Sequence, residues 1–258
     1  MDQSPIFFTK KGKGKPVVFL HGLWGGGNYF REFDSVQLAG YELYFPDELG
    51  FGKSPKPNIE YTPRVHCEAL MQILPKDKKL VLIGHSFGTS LAIYFAKYFP
   101  ERVEKLILIS PLAYNSIEEA KKFLSTRLIT RLTIERPFVA KLICKTVCST
   151  GILGLISPFF VRGHKRKYIG GCTNHTWHSY YSSFVECLLS EPLAPVLDRI
   201  SVTIPTLLVY GDKDNYTSSQ EINQMVGKKL KVVKTSGGHN LFFDKMAWSQ
   251  DLIGRFAR

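Results

Sequence analysis

The 258-residue chain carries 44% hydrophobic and 22% charged residues, with 21 Gly, 14 Pro and five Cys, an ordinary globular usage that excludes a disordered, collagenous or disulfide-scaffold protein. Its 34 Lys and Arg against 22 Asp and Glu leave a formal charge of +12, which suits an acidic partner or surface. The five cysteines, Cys67, Cys144, Cys148, Cys172 and Cys187, are odd in number and scattered, as free thiols in a reducing compartment would be, so the expected location is cytoplasmic.

Met1 to Lys15 holds one apolar run, Ile6-Phe7-Phe8, followed by four lysines, so no signal peptide is expected. Nowhere does an apolar stretch reach the roughly 18 residues of a bilayer-spanning helix. Gly12-Lys13-Gly14 reads as a hairpin tip. Short, nearly continuous apolar runs at Pro16–Leu20, Tyr41–Phe45, Leu80–Ile83, Val103–Ile109, Pro205–Tyr210 and Leu230–Thr235 read as strands. Longer amphipathic stretches at Pro63–Leu74, Phe87–Phe99, Ser218–Val226 and Lys245–Arg258 read as helices. Strands apolar on both faces, alternating with helices, imply a mostly parallel twisted sheet between helical layers. Residues 112–190 break the alternation: they read mainly as helices, with no convincing strand, an all-helical cap inserted into a core made of residues 1–111 and 191–258.

Gly84-His85-Ser86-Phe87-Gly88 follows one strand and opens one helix, the strand–turn–helix setting in which a G-x-S-x-G sequence presents a reactive serine on a strained turn. His21-Gly22-Leu23-Trp24-Gly25-Gly26-Gly27 follows the first core strand, where a glycine-rich turn aims backbone amides into a cavity. Such a donor is worth roughly 3 to 4 kcal/mol to a developing oxyanion. The Leu23 and Phe87 amides are the candidates. Gly211-Asp212-Lys213-Asp214 and Gly237-Gly238-His239-Asn240 follow two further strands. Serine, acid and histidine thus stand in that order, each at the carboxyl end of a parallel strand, where α/β proteins bind ligands.

With HGLWGG, PDELGFGKS, GHSFG, IPTLLVYGDKD and GGHN in this order, the chain resembles capped serine hydrolases of the α/β-hydrolase fold from Pro16 to its end, apart from the insertion. The resemblance implies a triad of Ser86, Asp214 and His239, with Asp212 the alternative acid, and an oxyanion hole at the Leu23 and Phe87 amides. It implies nucleophilic acyl transfer from a small ester or related acyl substrate, with no cofactor and no metal. Acyl transfer to another acceptor, thioester hydrolysis and carbon–carbon cleavage use the same triad, and some members of the fold act as ligand receptors. Two departures stand out: Thr89 replaces a common glycine, and no proline follows Asp214 at Thr217 or Ser218.

Other signals carry less. Gly52-Lys53-Ser54 lacks the earlier glycine of a phosphate-binding loop, since Asp47 stands there. Cys172, His175 and His178, with His164 nearby, read as polar lid positions rather than metal ligands. Asn174-His175-Thr176 and Asn215-Tyr216-Thr217 match glycosylation sequons by coincidence. The insertion holds eleven basic residues and four acids, and so most of the net charge, around an apolar stretch at Gly151–Val161. That combination suits an anionic membrane surface, an acidic carrier protein or an anionic substrate, or else a lid whose apolar residues line its own pocket while its lysines face water; the expected location stays cytoplasmic, with peripheral membrane attachment as the alternative. No recognised nucleic-acid-binding motif accompanies it.

Overall fold

The computed structural model describes residues 4–30, 38–148, 174–217, 222, 225 and 229–258. Seven strands form one sheet: β1 (Phe8–Gly12), β2 (Lys15–Leu20), β3 (Tyr41–Pro46), β4 (Leu80–His85), β5 (Val103–Ile109), β6 (Thr206–Gly211) and β7 (Leu230–Thr235). Their order is β1-β3-β2-β4-β5-β6-β7, parallel throughout except where β1 runs antiparallel to β3. The helices are α1 (Pro63–Ile73), α2 (Phe87–Tyr98), α3 (Ile117–Leu124), α4 (Leu128–Glu135), α5 (Pro137–Ile143), α6 (Trp177–Leu188), α7 (Leu193–Ile200), α8 (Leu241–Asp244) and α9 (Met246–Ala257). The architecture is the α/β-hydrolase fold expected from the sequence.

Period-two alternation builds a core on each face of the sheet. Val18, Leu20, Leu82, Leu106 and Leu208 point to the side covered by α1, α2, α6 and α7. Val17, Phe19, Ile83, Ile107 and Val209 point to the side where Phe242 of α8 and Ile253 of α9 pack. Each such side chain contributes about 1.5 to 3 kcal/mol by leaving water, so the central strands are fixed and their carboxyl ends form one rim.

One expectation is corrected. Gly12-Lys13-Gly14 is not a hairpin tip, because β1, a strand the sequence reading omitted, and β2 are not neighbours: β3 lies between them. The turn instead carries the chain across the start of β3, where Lys15 N–H donates to the Gly40 carbonyl at 3.0 Å. A Cβ at Gly14, whose φ is +133°, would collide with that same carbonyl.

Between β5 and β6 the described residues form helices, apart from a single bridge between Phe51 and His175. Helix α6 joins the core, burying Phe184, Cys187 and Leu188 in the cluster under α1 and α2. Helices α4 and α5 bury little, with only Thr130, Thr133 and Ala140 covered. The helix expected at Ser218–Val226 and the apolar stretch Gly151–Val161 lie outside the described residues, except for Ile222 and Met225.

Candidate active site

The carboxyl ends of β2, β4, β6 and β7 converge on one cavity. At the end of β4 the chain turns so sharply that Ser86 takes φ 54° and ψ −120°, a conformation that L residues adopt only under constraint. Gly84 and Gly88 make the turn possible. A Cβ on Gly84 would run into the Gly88 carbonyl, and one on Gly88 into the Leu20 carbonyl of β2. Ser86 N–H donates to the Ile109 carbonyl at 3.0 Å, tying the turn to the end of β5. Thr89 is an added brace: its hydroxyl donates to the Ser86 carbonyl and accepts from the Leu112 amide.

His239, in the loop after β7, reaches the serine. Its Nε2 lies 2.8 Å from Ser86 Oγ, and its Nδ1 lies 3.0 Å from each carboxylate oxygen of Asp214. The Asp214 side chain is wholly buried. Burial alone would raise its pKa, but the hydrogen bond and charge of His239 and the Tyr216 amide overcome this and bring it down to about 2. An ionised carboxylate only accepts, so Nδ1 carries the imidazole proton and Nε2 presents its lone pair to the serine hydroxyl. Thr217 also donates to Asp214, at 2.9 Å. Asp212 is elsewhere: its carboxylate accepts from the Gly237 amide and shapes the histidine loop from outside.

The glycine-rich turn after β2 backs onto the elbow, and a Cβ on Gly22 would sit 3.5 Å from Ser86 Cβ. His21 orients it. Its Nε2 accepts from the Glu48 amide at 3.1 Å, so Nδ1 must hold the proton, and it donates to the Gly22 carbonyl at 2.9 Å. The Gly25 amide donates to that carbonyl as well. In a trans peptide N–H and C=O point oppositely, so pinning the Gly22 carbonyl turns the Leu23 N–H the other way. The Phe87 N–H opens α2 and has no acceptor within the helix. Asp47 braces the turn, accepting from the Gly27 and Lys53 amides. Burial lowers the His21 pKa to about 4 and pushes that of Glu48 well above the carboxylate range. The two lie 3.4 Å apart, and burial works against a charge on either.

Three positioning side chains escaped the sequence reading. His85 donates from Nε2 to the His239 carbonyl at 2.9 Å, while its Nδ1 meets the Tyr29 hydroxyl at 2.7 Å. Burial lowers its pKa to about 3, so it is neutral and Tyr29 donates to it. Ser110, with a left-handed φ of 51°, donates to the same His239 carbonyl. The elbow motif names His85 by position only, and no local pattern marks Tyr29 or Ser110.

The cavity over Ser86 has a volume of about 570 Å³. Leu112, Leu124, Ile129, Phe184 and Leu188 give it apolar walls, so the helical segment supplies much of the lining. Arg127 is the one fixed charge among the described lining residues, and its guanidinium lies 5.9 Å from the centre of the Tyr216 ring. Trp24, at φ 72°, stacks on Tyr180 of α6. Among the described residues no group of three or more His, Cys, Asp or Glu is placed to hold a metal. His175 approaches the Cys144 sulfur and His178 meets the Ile59 carbonyl, while His164 and Cys172 lie outside the described residues.

The family model described as the alpha/beta hydrolase fold matches residues 15–145. Among curated relatives, "Putative esterase/lipase 3" of Mycoplasma pneumoniae is 34% identical over 122 residues, covering 45% of this chain and 44% of that protein. Human protein ABHD8 is 30% identical over 229 residues, covering 83% of this chain and 48% of its own. The chain thus spans less than half the length of these two relatives. An esterase from Exiguobacterium antarcticum superposes with a TM-score of 0.72 at 21% identity, covering 98% of this chain and 96% of that one.

Proposed function

The chain belongs to the α/β-hydrolase fold family, and from that premise we propose that it is a serine hydrolase, cleaving a carboxylic ester or related acyl substrate through an acyl-enzyme. One observation carries the reading: an unbroken hydrogen-bonded chain from the Ser86 hydroxyl through His239 to the buried Asp214 carboxylate. The family's esterase/lipase relative agrees with it.

Ser86 Oγ attacks the acyl carbon as its proton passes to His239 Nε2, and the carbonyl electron pair moves onto oxygen. The Leu23 and Phe87 amides receive that oxyanion. Asp214 holds Nδ1–H in place and offsets the charge on the imidazolium. Collapse of the adduct expels the alcohol, which takes the proton from His239 and leaves the acyl group on Ser86. Water then repeats the sequence, giving up its proton to His239, and release of the acid returns a proton to Ser86. The acyl part lies along the apolar walls at Leu124, Phe184 and Leu188. In this scheme the chain's own side chains and amides handle every proton and electron pair.

The test pairs the wild type with Ser86→Ala, using a fluorophosphonate probe and a panel of short- and long-chain aryl esters. The expected result is labelling of Ser86 and a loss of turnover on the order of 10⁴-fold or more in the variant. Turnover that survives in Ser86→Ala would overturn the mechanism. Labelling without turnover of any ester would replace the hydrolase with a ligand receptor.

A further inference from the structure

Helices α4 and α5 carry a surface that a folded protein in water has no use for. Of the large apolar side chains described, the three most exposed are Phe138 at 80%, Leu128 at 64% and Leu142 at 57%, and Val139 is exposed beside them. Single exposed apolar residues are ordinary, but four within two consecutive short helices are not. Phe138 and Leu142 stand one helical turn apart, as do Lys141 and Lys145, so apolar and basic side chains alternate over the same exposed face. From Arg127 to Lys145 the chain holds five cations and one acid, Glu135. Arg131, Arg136 and Lys141 are exposed, with no ion pair among the described residues.

From these features we propose that the exposed face of α4 and α5 docks the protein on an anionic lipid bilayer. Protruding apolar side chains enter the headgroup boundary while the cations between them meet lipid phosphates, the arrangement of a helix lying in the plane of a membrane. The contact is in-plane, since no helix among the described residues is long and apolar enough to cross a bilayer. The same stretch supplies Arg127, Ile129 and Thr130 to the cavity wall, so docking sets the cavity mouth beside the lipid. The apolar stretch Gly151–Val161, around which the sequence suggests such a surface, lies outside the described residues; the exposed apolar side chains described are those of α4 and α5. The inference does not depend on the serine chemistry.

Co-sedimentation of the full chain tests it, at low salt, with vesicles of phosphatidylcholine alone and of phosphatidylcholine with phosphatidylglycerol. The wild type is expected to bind the anionic vesicles and to be released by salt. Arg131→Gln/Arg136→Gln/Lys141→Gln should lower partitioning by on the order of a hundredfold, from about fivefold for each cation. Phe138→Ser/Leu142→Ser should lower it by about tenfold. All five positions are exposed, so the variants should fold, which circular dichroism and Tm will register. Lys76→Gln/Lys78→Gln/Lys79→Gln, at the opposite rim before β4, is the control and should retain binding. Three outcomes would overturn the proposal: no binding of the wild type to anionic vesicles, binding indifferent to both variants, or an equal loss in the control. Because binding is read without turnover, a failure here says nothing against the hydrolase reading, and a failure of that reading leaves this one standing.

Discussion

The elbow rim and the α4–α5 helices lie on either side of one cavity and are built by opposite means. At the rim, each member of the hydrogen-bonded chain is held by at least two partners: Ser86 by β5 and Thr89, the His239 carbonyl by His85 and Ser110, and Asp214 by His239, Tyr216 and Thr217. On α4 and α5 only Thr130, Thr133 and Ala140 are buried, Ile129 faces the cavity, and Leu128, Phe138, Val139 and Leu142 are exposed. Precision is needed at the rim and not on α4 and α5. The proposed proton relay would tolerate displacements of only tenths of an ångström, which redundant supports provide, whereas the proposed docking surface must stay uncovered.

Removing one member of the relay should have the largest effect. Asp214→Asn should cost about 10⁴-fold in turnover through loss of the correct tautomer, while Asp212→Asn, whose side chain accepts from the Gly237 amide away from His239, should stay within a few-fold. Steady-state assays of both variants decide it, and the reverse ranking would move the acid. In stability the two regions should separate clearly. Leu91→Ala, in the packed α2, should cost about 2 to 5 kcal/mol, and Phe138→Ala less than about 0.5 kcal/mol. Urea denaturation measures both, and similar losses would dissolve the contrast.

The smallest expected effect sharpens the account of the rim. Glu48 is buried, neither carboxyl oxygen has a hydrogen-bond partner among the described residues, and its pKa is raised by burial. With the folded pKa above the unfolded one, the native state holds the extra proton. Stability is therefore greatest below the unfolded pKa and falls as pH rises toward the folded value. Glu48→Gln removes that fall, so its Tm advantage over the wild type should grow from about pH 5 to pH 8. A constant difference across that range would mean that Glu48 is ionised in the folded protein.

Much of this was legible in the chain. The core strands, the elbow at Ser86 and the loops of Asp214 and His239 could be read because each is a local rule: an apolar run, a glycine where a Cβ cannot fit, a polar residue at a strand end. The antiparallel β1 could not be read, because FTKKG is mostly polar and its partner, β3, comes about thirty residues later. The choice of Asp214 over Asp212 came from resemblance alone, since both carboxylates follow the same strand and only the path of the β7 loop brings one of them to His239.

By itself the sequence determined the α/β core and the positions able to supply a serine, an acid and a histidine, because alternation and glycine placement act over a few residues. Tertiary structure alone decided that Tyr29, His85 and Ser110 steady the His239 loop, and that Phe138 and Leu142 face outward rather than into the lid. Those outcomes depend on which distant segments meet: His85 and His239 are 154 residues apart. The hydropathy of α5 is the same whether its apolar side chains are covered or bare. Only the packing around it leaves them exposed.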